Sequence, residues 1–100
     1  MNPDINTVKA RFRDEASEIH LRAMKTFEYN TKKLDRQKDE NVFQQLTARY
    51  ADELKRELSQ MAENLLAQYG GGTNKHLLYQ DFAHQIAYYV SEWLLKVRSM

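Results

Sequence analysis

The chain has no cysteine and very little glycine or proline. Its 100 residues include three glycines and one proline. Without cysteine, the chain can form no disulfide and offers no thiolate as a metal ligand or nucleophile. The shortage of glycine and proline argues against collagen-like, turn-rich all-β and low-complexity classes. Hydrophobic residues make up 42% and charged residues 29% of the chain, which is typical of one globular domain and here favours a helical one.

The chain also lacks a dominant charge and a long apolar run. Fifteen lysines and arginines oppose 14 acidic residues, for a formal net charge of +1. This near balance lowers the expectation of nucleic-acid binding, which depends on neutralising phosphates. No stretch approaches the roughly 20 apolar residues of a membrane span, and residues 1–4 do not begin a secretory signal. We therefore expect a soluble, cytoplasmic protein with no membrane partner.

The spacing of apolar residues predicts three long helices. With 100° per residue, two sets of apolar residues fall on arcs of roughly 100° each. The first set lies within residues 5–34 and the second within 43–69. In one continuous helix these arcs would point about 110–120° apart, away from a common core. The chain must therefore break between them, and the charged segment 30–41 is the natural position.

The predicted fold class is all-α, an antiparallel three-helix bundle of long helices in a single domain over residues 1–100. The predicted helices span about 5–37, 41–69 and 74–99. Asn41 with Gln44 resembles a capping box at the start of helix two, and Asp39 is the competing N-cap. The triplet Gly70–Gly72 forms the turn before helix three, because glycine accepts the left-handed conformation that ends a helix.

Helix three is the most apolar of the three. Its apolar residues cover an arc of roughly 180°, and they are Leu78, Tyr79, Phe82, Ala83, Ile86, Ala87, Tyr89, Val90, Trp93, Leu94 and Val97. A helix that is apolar over half of its circumference needs more than one neighbour to cover it. We therefore expect helix three to be the centre of the bundle, with the other two helices lying against it.

A further set of residues falls outside the main apolar faces, and we predict that it binds a partner. These residues are Leu77, His84, Tyr88 and Leu95 on helix three and Leu21 and Met24 on helix one. Scattered exposed apolar residues are ordinary, but a strip along one helix favours a contact with another protein. Elongated small helical domains also commonly pair, so we expect a homodimer. Tyr88 is the best candidate for an interface anchor.

Helix one also carries a run of basic residues. Between residues 22 and 38, six bases oppose two acids, for a net charge of +4. The candidate nucleic-acid-binding residues share one side of the helix and are Arg22, Lys25, Lys32, Lys33 and Arg36. Such a ridge could follow a phosphate backbone, whereas bases late in a helix also simply complement its dipole. A nucleic-acid-binding accessory protein is therefore the alternative function.

No pattern in the chain is typical of a catalytic or metal site. Asp81 and His84 have a spacing that can bind a divalent ion, but the Glu-x-x-His motifs of di-metal bundles are absent. No Gly-x-Ser-x-Gly turn presents a serine nucleophile, and the glycine triplet lacks the spacing of a phosphate-binding loop. A metal-dependent enzyme is the least favoured alternative. We expect no catalytic residue, metal or cofactor, and we predict a non-enzymatic adaptor, regulator or inhibitor that binds another protein.

Overall fold

The computed structural model describes residues 4–35, 37–69 and 73–99. Its helices are α1 (Ile5–Thr31), α2 (Glu40–Tyr69) and α3 (Thr73–Arg98). The described residues contain no strand, so the all-α class is confirmed. Each helix packs against both of the others. The bundle measures 55 × 18 × 18 Å, the proportions of three long helices lying side by side.

α1 ends six residues before its predicted end at residue 37. The Thr31 hydroxyl donates to the carbonyl oxygen of Phe27 at 2.7 Å, and the Leu34 amide donates to the Thr31 carbonyl at 3.0 Å in a tighter turn. Residues 32–39 include six charged residues and Leu34 as their one apolar residue. Because helices in proteins depend on packing an apolar face, this segment cannot hold further helical turns. The predicted extension of helix one to residue 37 is therefore wrong.

α2 begins directly after Asp39. The Phe43 amide donates to the Asp39 carbonyl oxygen at 2.9 Å, which makes Asp39 rather than Asn41 the N-cap residue. The Asp39 carboxylate accepts the backbone amide of Asp35 at 3.1 Å. Asp39 therefore both starts the helix and closes the connection that precedes it. The predicted turn at Gly70–Gly72 lies outside the described residues.

The core is shared by all three helices, and Phe27 contacts both α2 and α3 within it. The Phe27 ring makes edge contacts with Phe43 and Tyr50 of α2, both at a centroid distance of 5.4 Å. It makes a third with Trp93 of α3 at 5.2 Å. Phe27 and Trp93 are completely buried. Edge-to-face packing is a favoured aromatic geometry. One side chain of α1 therefore packs against both other helices.

Pairs of contacting residues show in which order the residues of one helix meet those of another. Between α1 and α2, the polar contacts join Arg11 to Gln68, Arg22 to Glu57 and Asn30 to Tyr50. These contacts occur in opposite order along the two helices. Between α1 and α3, the ring contacts join Phe12 to Phe82, His20 to Tyr89 and Phe27 to Trp93. These contacts occur in the same order along both helices.

α3 is not the enclosed centre that its wide apolar arc predicts. Its fully buried apolar residues are Leu78, Phe82, Trp93 and Val97. Tyr79, however, is 58% exposed, and Ala83 and Ala87 are also exposed. α1 and α2 pack directly on each other, so they enclose α3 from one side only and leave part of its 180° apolar arc uncovered. The expectation of a central α3 is corrected to three helices that share the core, with an apolar part of α3 facing outward.

Candidate protein-binding surfaces

Leu77, His84, Tyr88 and Leu95 form an exposed line along α3, here called the α3 strip. The exposed fractions are 58% for Leu77, 57% for Tyr88 and 60% for Leu95. His84 is exposed as well, with its Nδ1 atom 3.1 Å from the Gln80 carbonyl oxygen. Successive members are seven, four and seven residues apart, and residues at these spacings lie above one another on a helix. The strip therefore runs along about 27 Å of helix, at 1.5 Å per residue.

Leu21 of α1 lies across a groove from Tyr88. Leu21 is 55% exposed. A cavity of about 350 Å³ between α1 and α3 is lined by Ser17, His20, Leu21, Tyr88, Tyr89, Glu92 and Lys96. The Ser17 and Tyr89 hydroxyl groups are 3.4 Å apart, and the Tyr89 ring meets the Tyr88 ring edge-on at 5.7 Å. Two of the predicted partner-binding residues, from different helices, therefore line one groove.

Met24 does not share this exposure. It is partly buried and packs against the core. A methionine side chain is unbranched and flexible, so it readily fills an irregular gap between helices. Leu21 thus remains as the large apolar side chain that α1 contributes to this face.

His20 lies at the base of the groove between α1 and α3. It is 8% exposed, and its Nε2 atom has no hydrogen-bond partner among the residues described. Burial lowers the pKa of His20, the Lys96 ammonium lowers it further, and the Glu92 carboxylate opposes them. Burial disfavours the charged form of an imidazole, so His20 is neutral in the folded protein at pH 7. Its place beside Ile19, at the edge of the apolar arc of helix one, was the sequence signal for its burial.

A second groove, between α2 and α3, was not predicted, and we call it the α2–α3 groove. Its cavity of about 230 Å³ is lined by Lys55, Ser59, Ala62, Glu63, Leu66, Tyr79, Phe82, Ala83 and Ile86. A cavity of about 400 Å³ lies between the same helices near Phe43 and Leu94. Periodicity identified the apolar residues of α3 but not how many of them the neighbouring helices would cover. That is why the pattern placed Tyr79 and Ala83 in the core.

The predicted basic ridge is not one helical line in the structure. The Arg22 guanidinium lies 3.4 Å from the Glu57 carboxylate of α2, and Lys25 is exposed on α1. Lys32 and Lys33 follow the end of α1, and Arg36 lies outside the described residues. A ridge that follows phosphates needs its cations on one continuous face. Nucleic-acid binding therefore stays a prediction. The continuous helix that was expected to align these cations ends at Thr31.

The described residues offer little to a metal ion. Within them, no group of three or more His, Cys, Asp or Glu side chains is close enough to hold one. Asp81 is partly buried on α3 and His84 is exposed. Over the same residues, no helix combines the length and apolar character needed to span a lipid bilayer.

Known proteins give no guide to the function. The sequence matches no family model and no curated protein, and the fold matches no solved structure. The two grooves and the α3 strip are therefore the features from which a function can be argued.

Proposed function

We propose that this chain is a non-enzymatic helical protein–protein interaction module, a cytoplasmic adaptor, regulator or inhibitor of another protein. The α3 strip carries the proposal, because Leu77, Tyr88 and Leu95 are each more than half exposed on one side of one helix. Water contact with large apolar side chains is unfavourable, and their repetition along one side of a helix favours a binding site. The opposite order of contacts along α1 and α2 supports an antiparallel three-helix bundle as the scaffold.

The proposed occupant of the strip is an amphipathic helix of the partner. The strip and the neighbouring groove form a long, shallow surface, which suits recognition of a helix through anchors spaced along one face. Tyr88 is the central anchor, because it lies within the strip and also lines the groove opposite Leu21. Glu92 and Lys96 at the groove carry opposite charges, so the surface does not require a partner of one dominant charge.

The decisive experiment compares Tyr88→Asp with a matched tyrosine variant. Tyr29 is 81% exposed on α1 and lies outside the strip, so Tyr29→Asp introduces the same chemical change elsewhere. The immobilised full chain captures proteins from native lysate, and quantitative mass spectrometry compares the variants. Proteins that bind the wild type and Tyr29→Asp should fall at least about tenfold with Tyr88→Asp, since a central anchor contributes about 2 kcal/mol or more.

A second strip variant, Leu77→Asp, guards against an effect confined to one residue. Both positions are exposed, so both variants should retain the helical circular dichroism of the wild type. Captured proteins that are unchanged by Tyr88→Asp and by Leu77→Asp would contradict a binding role for the strip.

Self-association belongs to the same proposal. A bundle only 18 Å across has a large surface for its volume, and a second copy is a common way to cover apolar surface. Two faces are available to join copies, the α3 strip and the α2–α3 groove.

A further inference from the structure

The rim of the α2–α3 groove carries two opposite charges in a symmetric arrangement. Lys55 and Glu63 lie four residues before and after Ser59 on α2, and all three line the same cavity. Lys55 and Glu63 are exposed, whereas Ser59 is partly buried. Neither charged residue takes part in an ion pair with another described residue. The rim therefore presents one cation and one anion at equal distances from a small central side chain.

We infer that the α2–α3 groove joins two copies of this chain about a two-fold axis that crosses α2 at Ser59. In a two-fold interface, residue i faces residue j of the second copy and j faces i. Two α2 helices that meet antiparallel at Ser59 place each Lys55 opposite Glu63 of the second copy. One arrangement thus pairs all four charges. The inference rests on the proposed interaction function and names a second copy of the chain as one partner.

The α3 side of the groove supplies apolar surface to the same interface. Tyr79, Ala83 and Ile86 line one cavity with Ser59, so an axis that crosses α2 at Ser59 also crosses this part of α3. Tyr79 and Ala83 are exposed in the single chain, and a second copy would remove these apolar side chains from water.

The size of the face indicates a dimer of modest affinity. The α2–α3 face is up to 18 Å wide. The part of α2 that an axis at Ser59 pairs with the second α2 is residues 49–69, which is about 30 Å long at 1.5 Å per residue. Its footprint of about 500 Å² per copy is below the roughly 800 Å² per partner of a standard stable interface. Interfaces of this size are typical of weak complexes, so we expect the dimer to dissociate on dilution.

The α3 strip stays open in this dimer. It lies about 120° around α3 from Ala83, at 100° per residue, so the second copy does not cover it. Each dimer thus presents two α3 strips to other proteins. Dimerisation and partner binding use different residues and can be tested separately.

Charge reversal tests the pairing through sedimentation equilibrium of the full chain over a range of concentrations. Lys55→Glu places two carboxylates opposite each other at two sites of the dimer, and Glu63→Lys does the same with two ammonium groups. Each single variant should weaken dimerisation at least about tenfold, since each pair changes from attraction to repulsion. The double variant Lys55→Glu/Glu63→Lys should dimerise within about threefold of the wild type. An equimolar mixture of the two single variants should form a heterodimer.

Matched controls lie on α1, away from the groove. Lys25 and Glu18 are exposed, so Lys25→Glu and Glu18→Lys repeat the same charge changes there and should leave dimerisation unchanged. Ala83→Arg should give a monomer, because Ala83 is already exposed in the single chain and a bulky cation would occupy the groove. Circular dichroism of every variant checks that the helices are retained.

Three results would overturn the inference, and each differs from a failure of the proposed function. A wild-type chain that is monomeric at all concentrations excludes the dimer, while loss of partner capture with Tyr88→Asp would still support the module. A dimer that survives the groove variants but is lost with Tyr88→Asp would assign self-association to the α3 strip. A dimer weakened by the single variants but not restored in the double variant or the mixture would exclude the two-fold register at Ser59.

Discussion

At the scale of single residues, His20 is the side chain whose protonation the fold controls. Its imidazole is buried between α1 and α3, with the Tyr89 ring centroid 6.0 Å away. Burial and the Lys96 ammonium lower the pKa of His20 below 6.5, against the opposing effect of Glu92. The unfolded chain therefore binds a proton at a higher pH than the folded chain does. Acid should favour the unfolded state through this group.

We predict that His20 makes the bundle less stable as the pH falls below about 6.5. Its contribution to the unfolding free energy is constant above that value, decreases as the pH drops towards the lower folded pKa, and is constant again below it. Urea denaturation between pH 5 and pH 8 measures this effect. His20→Gln should lose less stability than the wild type over the acidic half of that range.

The matched control for this prediction is His84→Gln, because His84 is exposed on α3. Its pH profile of stability should follow that of the wild type. A wild type that becomes more stable relative to His20→Gln on acidification would show that the imidazole is charged in the folded state.

At the scale of helices, the start of α2 is defined by one carboxylate-bearing residue. The Asp39 carbonyl accepts the first helical hydrogen bond, from Phe43, and the Asp39 carboxylate accepts the amide of Asp35. A negative charge at a helix N-terminus is also favoured by the helix dipole. The connection between α1 and α2 therefore depends on Asp39 more than on the neighbouring Asn41.

We predict that Asp39→Ala lowers the unfolding free energy by about 1 kcal/mol, because it removes the hydrogen bond from the Asp35 amide and a negative charge at the start of α2. Asn41→Ala changes a residue inside the first turn and should alter it by less than about 0.5 kcal/mol. Urea denaturation at neutral pH measures both variants. The reverse order of effects would place the N-cap at Asn41, as the capping-box pattern had suggested.

At the scale of the whole molecule, Phe27 connects the three helices. Its ring contacts α2 and α3 simultaneously, and its side chain is completely buried. A large core side chain replaced by alanine loses its burial and leaves a cavity. Small domains are stable by only about 5–15 kcal/mol. This one side chain should therefore account for a large part of the unfolding free energy.

We predict that Phe27→Ala lowers the unfolding free energy by about 3–5 kcal/mol. Phe27→Leu should cost less, since it keeps most of the buried volume. Chemical denaturation monitored by circular dichroism measures both. A loss below about 1 kcal/mol for the alanine variant would mean that the core can collapse around the missing ring.

The amino-acid sequence predicted the positions of the helices better than the burial of their side chains. Periodicity divided the chain into helices, and the capping residues and the glycine triplet placed the ends of α2 and α3 to within one residue of those observed, because such residues start and end helices. Leu34 matched the apolar arc of helix one by angle, yet the charged residues around it prevent further helical packing. Likewise, the pattern could show that Tyr79 and Ala83 are apolar but not that α1 and α2 would pack on each other and leave them uncovered. Whether an apolar side chain is buried depends on how the three helices pack together, and the pattern of one helix does not determine that packing.

The same order of contacts along α1 and α3 separates the start of α1 from the end of α3. Phe12 lies against Phe82 near one end of the bundle, and Phe27 lies against Trp93 towards the other. α1 therefore begins at one tip of the rod and α3 finishes at the opposite tip, about 40 Å away at 1.5 Å per residue. Anything fused before α1 and anything fused after α3 would point in opposite directions, held apart by a spacer of fixed length.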